Sequence, residues 1–201
     1  MERRDRSGTL GKVAREVVIL AFLGLLAGGG AYLVRKNLQL EERNEDLTRL
    51  AFGPRAGLFV AEVPAPSLAG ESVVLGEMGK PQLLFFFNTT CLHCRASLPN
   101  WNRVAAALES ESTVAVYGVA FDELEAAQAY VNQQGIRFPV VAKPDPRLAG
   151  LYRIHGVPAI ILINDRGRMA YARVGPLDTP LATDSVLAAA RTKAIIPAGG
   201  G

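Results

Sequence analysis

Cysteine is scarce in this chain. Its 201 residues carry two, Cys91 and Cys94, from which neither a multi-disulfide scaffold nor a four-cysteine zinc cluster can be built. Histidine is as rare, with His93 and His155 alone. An excess of one charge is missing too: 22 Lys and Arg stand against 19 Asp and Glu, and no long basic run exists to follow a phosphate backbone, so nucleic acid is excluded as a partner. Against these absences, 49% hydrophobic content with 20% charge rules out a disordered or fibrous chain. The length suits one modest domain with an additional segment.

That segment lies at the N-terminus. Val17 to Val34 holds no charged residue and is bounded by Arg15-Glu16 and Arg35-Lys36. As a helix it would be about 27 Å long, close to the roughly 30 Å hydrocarbon core once the flanking cations snorkel outward. It reads as a single transmembrane anchor over 17–34, with 1–16 as a short cytoplasmic N-terminus. The small residues Ala27 to Ala31 also fit a cleaved signal peptide, although the length of the run and the cations directly beyond it favour the anchor. Either reading exports the C-terminal part of the chain. The expected location is the inner (cytoplasmic) membrane, with the C-terminal domain facing the periplasm or extracytoplasmic space. Residues 35–57 form a polar tether; Leu40, Leu47 and Leu50 within it, in register with Leu33 of the anchor, allow at most weak dimerisation, two heptads being short for a coiled coil. Gly53-Pro54 marks its end.

From residue 58 to 194 the pattern alternates. Gln82 to Phe87 is a continuous apolar run, as expected of a strand covered on both faces. Leu98, Trp101, Val104 and Leu108 then recur at helical spacing, which places Cys91 at a helix start and Cys94 one turn in; Pro99 should kink this helix without ending it. Thr113 to Val119 reads as a strand, and Asp122 with Glu125 as a capping box for a helix that stops at Gly135. Phe138 to Ala142 is a short strand and Pro146 to Tyr152 a helical turn. Pro158 to Ile163 is another buried strand, turned at Asn164 to Gly167 into its hairpin partner Met169 to Val174. Thr179-Pro180 opens the last helix, and residues 195–201 form a glycine-ended tail expected to be disordered. The sum is an α/β domain with a mixed central sheet flanked by helices.

The chemistry sits in Cys91-Leu92-His93-Cys94. A thiolate at a helix N-terminus is stabilised by unpaired backbone N–H groups and by the helix dipole, and a His93 imidazolium within one turn would add to that. The spacing brings the two sulfurs within bridging distance, so Cys91 can attack a disulfide and Cys94 can resolve the mixed species. No cofactor is needed, and a closed zinc site lacks ligands.

The stretches FFFNTTCLHCRASLPNW and GVPAIILINDRGRMAYARVGPL, with the element order between them, resemble membrane-anchored thioredoxin-like proteins of the TlpA/ResA type. The resemblance covers about Leu58 to Arg191. It implies a thioredoxin fold with a helix–strand insertion at Phe121 to Ala142 and thiol-disulfide oxidoreductase activity outside the cytoplasmic membrane. Reduction of disulfides in exported clients, as in cytochrome c maturation, and a membrane electron donor or acceptor are implied as well. By the same resemblance Cys91 is the nucleophile, Cys94 the resolving thiol, Leu92 and His93 modulators, and Pro158 a cis-proline that sets the Val157 backbone to pair with substrate. The chain departs from the pattern at Thr90, where relatives carry an aromatic residue, and at Phe85, where thioredoxins bury an acid. Two other readings stand beside this one. A histidine between the cysteines resembles more oxidising members of the superfamily, and Cys91, Cys94 and His155 would make a three-ligand Cu(I) site for a copper-delivery protein.

Overall fold

In the computed structural model, which describes residues 15–16, 23–41, 43, 53–142 and 144–194, the run Gln82–Phe87 is the central strand β3 of a five-stranded sheet. It is buried along its whole length because it is covered twice. Leu83, Phe85 and Phe87 point into one core layer, while Leu84 and Phe86 point into the other. Strand β4 (Ala115–Ala120) runs parallel to β3 and β5 (Val140–Ala142) parallel to β4, whereas β6 (Ala159–Ile163) and β7 (Met169–Val174) are antiparallel. The sheet order is β5-β4-β3-β6-β7. The mixed sheet expected from the sequence is therefore present.

Helices α2 (Leu92–Glu111) and α5 (Pro180–Lys193) pack on the layer that holds Phe85 and Trp101, whose rings stack with centroids 5.0 Å apart. Thr179 caps α5 through an acceptor bond from the Ala182 N–H, with Pro180 in the first turn as expected. On the opposite face lie α4 (Leu148–Leu151), Tyr152 and an antiparallel hairpin of β1 (Val63–Pro66) and β2 (Ser72–Leu75). The sequence did not announce this hairpin, since Pro64 and Pro66 argue against a strand. Both prolines face outward and β1 pairs on one side only, with β2, so neither missing N–H interrupts a central ladder.

One expectation is corrected by α3 (Leu124–Gln134). Asp122 does not form a capping box with Glu125: the N-cap is Glu123, which makes no side-chain capping bond, and the Asp122 carboxylate is turned toward Thr89 instead. The stop at Gly135, in the left-handed conformation, is as the sequence indicates. Strands β4, β5 and β6 begin at Ala115, Val140 and Ala159, each one or two residues inside the expected range.

The chain divides into two units at Ala51/Phe52. In the first, α1 is described over residues 23–41, passing without a break across the position where anchor and tether were expected to meet. Among the described residues no helix is long and apolar enough to cross a membrane. Residues 17–22 of the expected anchor, Leu47 and Leu50 of the expected stripe, and the tail 195–201 lie outside the described residues.

Two measurements test this packing. Phe85→Ala removes a fully buried ring between β3 and α2 and should cost about 3–5 kcal/mol in denaturant unfolding. Tyr152 is fully buried and donates to the Ala61 carbonyl at 3.0 Å; burial, its largest influence, pushes the phenol above its ordinary value of 10.0. The unfolded chain ionises first, so stability should fall as pH rises beyond about 10, and Tyr152→Phe should flatten that alkaline decline.

Candidate active site

The polypeptide leaves the C-terminal end of β3 at Phe87, crosses Asn88 to Thr90, and starts α2 with Cys91 as the N-cap residue in an extended conformation. A cysteine is an unusual cap, yet its sulfur does what a cap does. Cys91 Sγ accepts from the Cys94 N–H at 3.1 Å, answering one of the donors that a helix start leaves unpaired. Cys91 and Cys94 are joined as a disulfide, with Cα atoms 5.2 Å apart.

The two sulfurs differ in access. Cys91 is half-buried, whereas Cys94 is fully buried against the α2 core layer. A reagent arriving from solvent therefore meets Cys91. Leu92, 76% exposed, and His93, also exposed, stand on the outer face of the first turn. Across from them the Val157–Pro158 bond is cis, and the Val157 carbonyl oxygen lies 3.8 Å from Cys91 Sγ. The structure thus brings together Cys91, Cys94, Val157 and Pro158. It does not add His155: that side chain is exposed, and among the described residues no group of three His, Cys, Asp or Glu has a metal-holding arrangement. Phe85, at the position where thioredoxins bury an acid, is a core ring stacked on Trp101, so no carboxylate takes that place.

Two features at this end of the sheet were not foreseen. The first is Ser97, one turn beyond Cys94 on the buried face of α2. Its hydroxyl donates to the His93 carbonyl at 2.8 Å and accepts from the Leu177 N–H at 2.9 Å. Asn100 completes the bracket by donating to the Leu177 carbonyl at 2.7 Å. The segment between β7 and α5 is thereby bolted to the active-site helix. A serine inside the apolar stripe of Cys94, Leu98 and Trp101 was the available signal, because a buried hydroxyl needs a partner. The second is the pair of bonds from Thr89 to Asp122, at 2.8 Å from the backbone N–H and 2.7 Å from the hydroxyl. Pro99 sits within α2, which continues past it to Glu111.

These features define a thioredoxin-like protein with a cysteine pair of which one sulfur is reachable from solvent, and comparison with known proteins agrees. Residues 57–172 match the model of the AhpC/TSA family. The thiol-disulfide oxidoreductase ResA of Halalkalibacterium halodurans is 30% identical over 123 residues, covering 60% of this chain and 69% of that protein. The ResA of Bacillus anthracis is 27% identical over 132 residues, covering 65% and 73%. Among solved structures, StoA of Bacillus subtilis superposes with a TM-score of 0.56 at 20% identity over 64% of this chain and 96% of that one. A thiol:disulfide interchange protein from a Bacteroides species gives 0.58 at 21%, over 73% and 95%. At those identities the structures establish the fold. The chain belongs to the AhpC/TSA family, within which it is similar to the ResA thiol-disulfide oxidoreductases, and it is an enzyme of the oxidoreductase class.

Ser97→Ala would leave the buried Leu177 N–H unpaired. We expect a loss of about 1–3 kcal/mol in unfolding free energy together with faster hydrogen exchange at the Leu177 amide, read by denaturant titration and NMR.

Proposed function

We propose that this protein is a membrane-tethered, extracytoplasmic thiol-disulfide reductase acting on exported client proteins, such as those of cytochrome c maturation. The observation that carries the chemistry is the asymmetry of the pair: Cys91 sulfur is reachable and held by the Cys94 N–H, and Cys94 is buried one turn behind it. In the reduced protein the Cys91 thiolate attacks one sulfur of a client disulfide R–S–S–R′. A bond forms between Cys91 and R, and R′ departs as a thiolate that takes up a proton. The Cys94 thiolate then attacks Cys91 Sγ, closing the intramolecular bridge and releasing R as the second thiol. Two electrons have passed from protein to client, and a membrane donor must return them.

The client segment is placed by Val157 and Pro158. A backbone beside the sulfur offers an extended peptide its hydrogen-bonding groups, which fixes the approach of any sequence and leaves Leu92 and His93 to modulate which is preferred. The anchor over 17–34 and the tether over 35–57 keep this domain at the membrane surface. The support for that placement is the uncharged run flanked by cations; a reporter enzyme fused to the C-terminus and active only outside the cytoplasm checks it.

One observation favours the opposite direction of electron flow. The Cys94 N–H aimed at Cys91 stabilises its thiolate, which favours the reduced form and makes the couple more oxidising. A redox titration of the protein against glutathione, with thiol trapping, decides between the two. A reductase requires a potential of about −270 mV, as in thioredoxin, and a value of about −120 mV assigns an oxidant. Cys94→Ser should accumulate a client–Cys91 mixed disulfide on a non-reducing gel, and Cys91→Ser should accumulate none; the reverse pattern would exchange the two roles.

A further inference from the structure

The loop that presents Cys91 is held from outside its own helix. Thr89, two residues before Cys91, gives both its backbone N–H and its hydroxyl to the carboxylate of Asp122, at 2.8 and 2.7 Å. Asp122 comes from the connection between β4 and α3, 33 residues further along the chain. The same connection is tied to the end of β3 by the Phe121 N–H donating to the Phe87 carbonyl at 3.1 Å, while the Cys91 N–H donates to the Asn88 carbonyl at 3.3 Å. Asn88 to Cys91 is therefore fixed at both ends and in the middle. Thr89 and Asp122 are half-buried, so their interaction is screened less than one in open solvent.

We propose that Asp122 is a positioning residue for the redox loop, and that its carboxylate also holds the Cys91–Cys94 couple toward the reducing side. The inference rests on the assignment of Cys91 as the attacking thiol. The positioning comes from the two bonds, which set where the loop delivers the N-cap residue. The redox effect comes from charge. A disulfide is neutral and a Cys91 thiolate is not, so a carboxylate clasped to the loop two residues away raises the free energy of the reduced, ionised state alone. It opposes the Cys94 N–H and the helix dipole, which act the other way.

Ionisable groups toward this end of the elements meeting here are His93 and Arg95 in the first turns of α2, Glu123 before α3, Glu125 and Tyr130 on it, and Arg153 and His155 in the segment that leads to Val157. The Asp122 field is felt among them. Tyr130 is pushed above its ordinary value first by burial, with Arg95 pulling down and Asp122 pushing up. Its ring lies 5.9 Å from that of Phe87, the residue from which the redox loop departs.

Asp122→Asn keeps an acceptor for the Thr89 N–H and, with the threonine hydroxyl rotated, a second contact, but removes the charge. The full chain is compared with this variant and with Thr89→Val, which keeps the charge and loses one bond. We expect Asp122→Asn to move the pH profile of Cys91 alkylation to lower pH. It should also shift the equilibrium with glutathione toward the reduced protein by about threefold to tenfold. Thr89→Val should slow exchange and leave both profiles in place. Asp122→Ser repeats the neutral substitution should the asparagine variant fail to fold. An unmoved profile and equilibrium in both neutral variants overturns the proposal, as does an equal shift in Thr89→Val. Mapping of the alkylated thiol keeps the two ideas apart: labelling of Cys94 first sinks the assignment of Cys91, whereas labelling of Cys91 first with no effect of Asp122 sinks the tuning alone.

Discussion

A sulfur atom caps a helix in this protein, and the rest of the domain serves to keep it there. The N-terminal donors of α2 need an acceptor, and Cys91 Sγ supplies one to the Cys94 N–H. That contact does two things at once. It satisfies a backbone group that would otherwise need water, and it aims a partial positive charge at the sulfur that would carry negative charge as the attacking thiolate of the proposed mechanism. Structure and reactivity share one hydrogen bond, so neither can be altered without the other.

Holding α2 to that position requires anchors on three sides. Beneath it, Phe85 and Trp101 stack between strand and helix. On one flank Ser97 and Asn100 clamp Leu177, so the start of the last helix is indexed against the turn of α2 next to Cys94. On the other flank Asp122 grips Thr89. The pair α3 and β5 is thus more than an addition to the sheet edge, because the connection leading into α3 carries the residue that restrains the loop before Cys91. The cis Val157–Pro158 bond completes the face by setting the Val157 carbonyl next to the outer sulfur.

A close pairing of two cysteines in sequence says nothing about which is reachable. Here burial divides the work: the N-cap position leaves Cys91 at the surface, and one helical turn carries Cys94 into the layer of Leu98 and Trp101. Its surroundings are apolar, with a core ring at Phe85 where thioredoxins bury an acid. In the reductase mechanism proposed above, Cys94 would be a thiol shielded from solvent and next to the sulfur it attacks, an arrangement suited to resolving a mixed disulfide.

Local chemistry was enough to read much of this from the chain. Continuous apolar runs gave β3 and β6, Asn164 to Gly167 gave the hairpin, Thr179-Pro180 gave the start of α5, and the cysteine spacing gave the redox pair, because each depends on neighbours within a few residues. Elements held by distant partners were hidden. The β1–β2 hairpin contains prolines that only an edge position tolerates, and His155 lies near the cis bond in sequence while its side chain faces solvent. Asp122 illustrates the division best. Its spacing to Glu125 fits a capping box, and by local rules it should cap α3. Tertiary structure instead placed the backbone N–H and hydroxyl of Thr89 within reach, and two donors from one residue outcompete a single cap. The sequence by itself determined that two sulfurs would sit at a helix start; only the folded chain decided which faces outward and which groups restrain it, since burial and long-range hydrogen bonds exist only once distant segments meet.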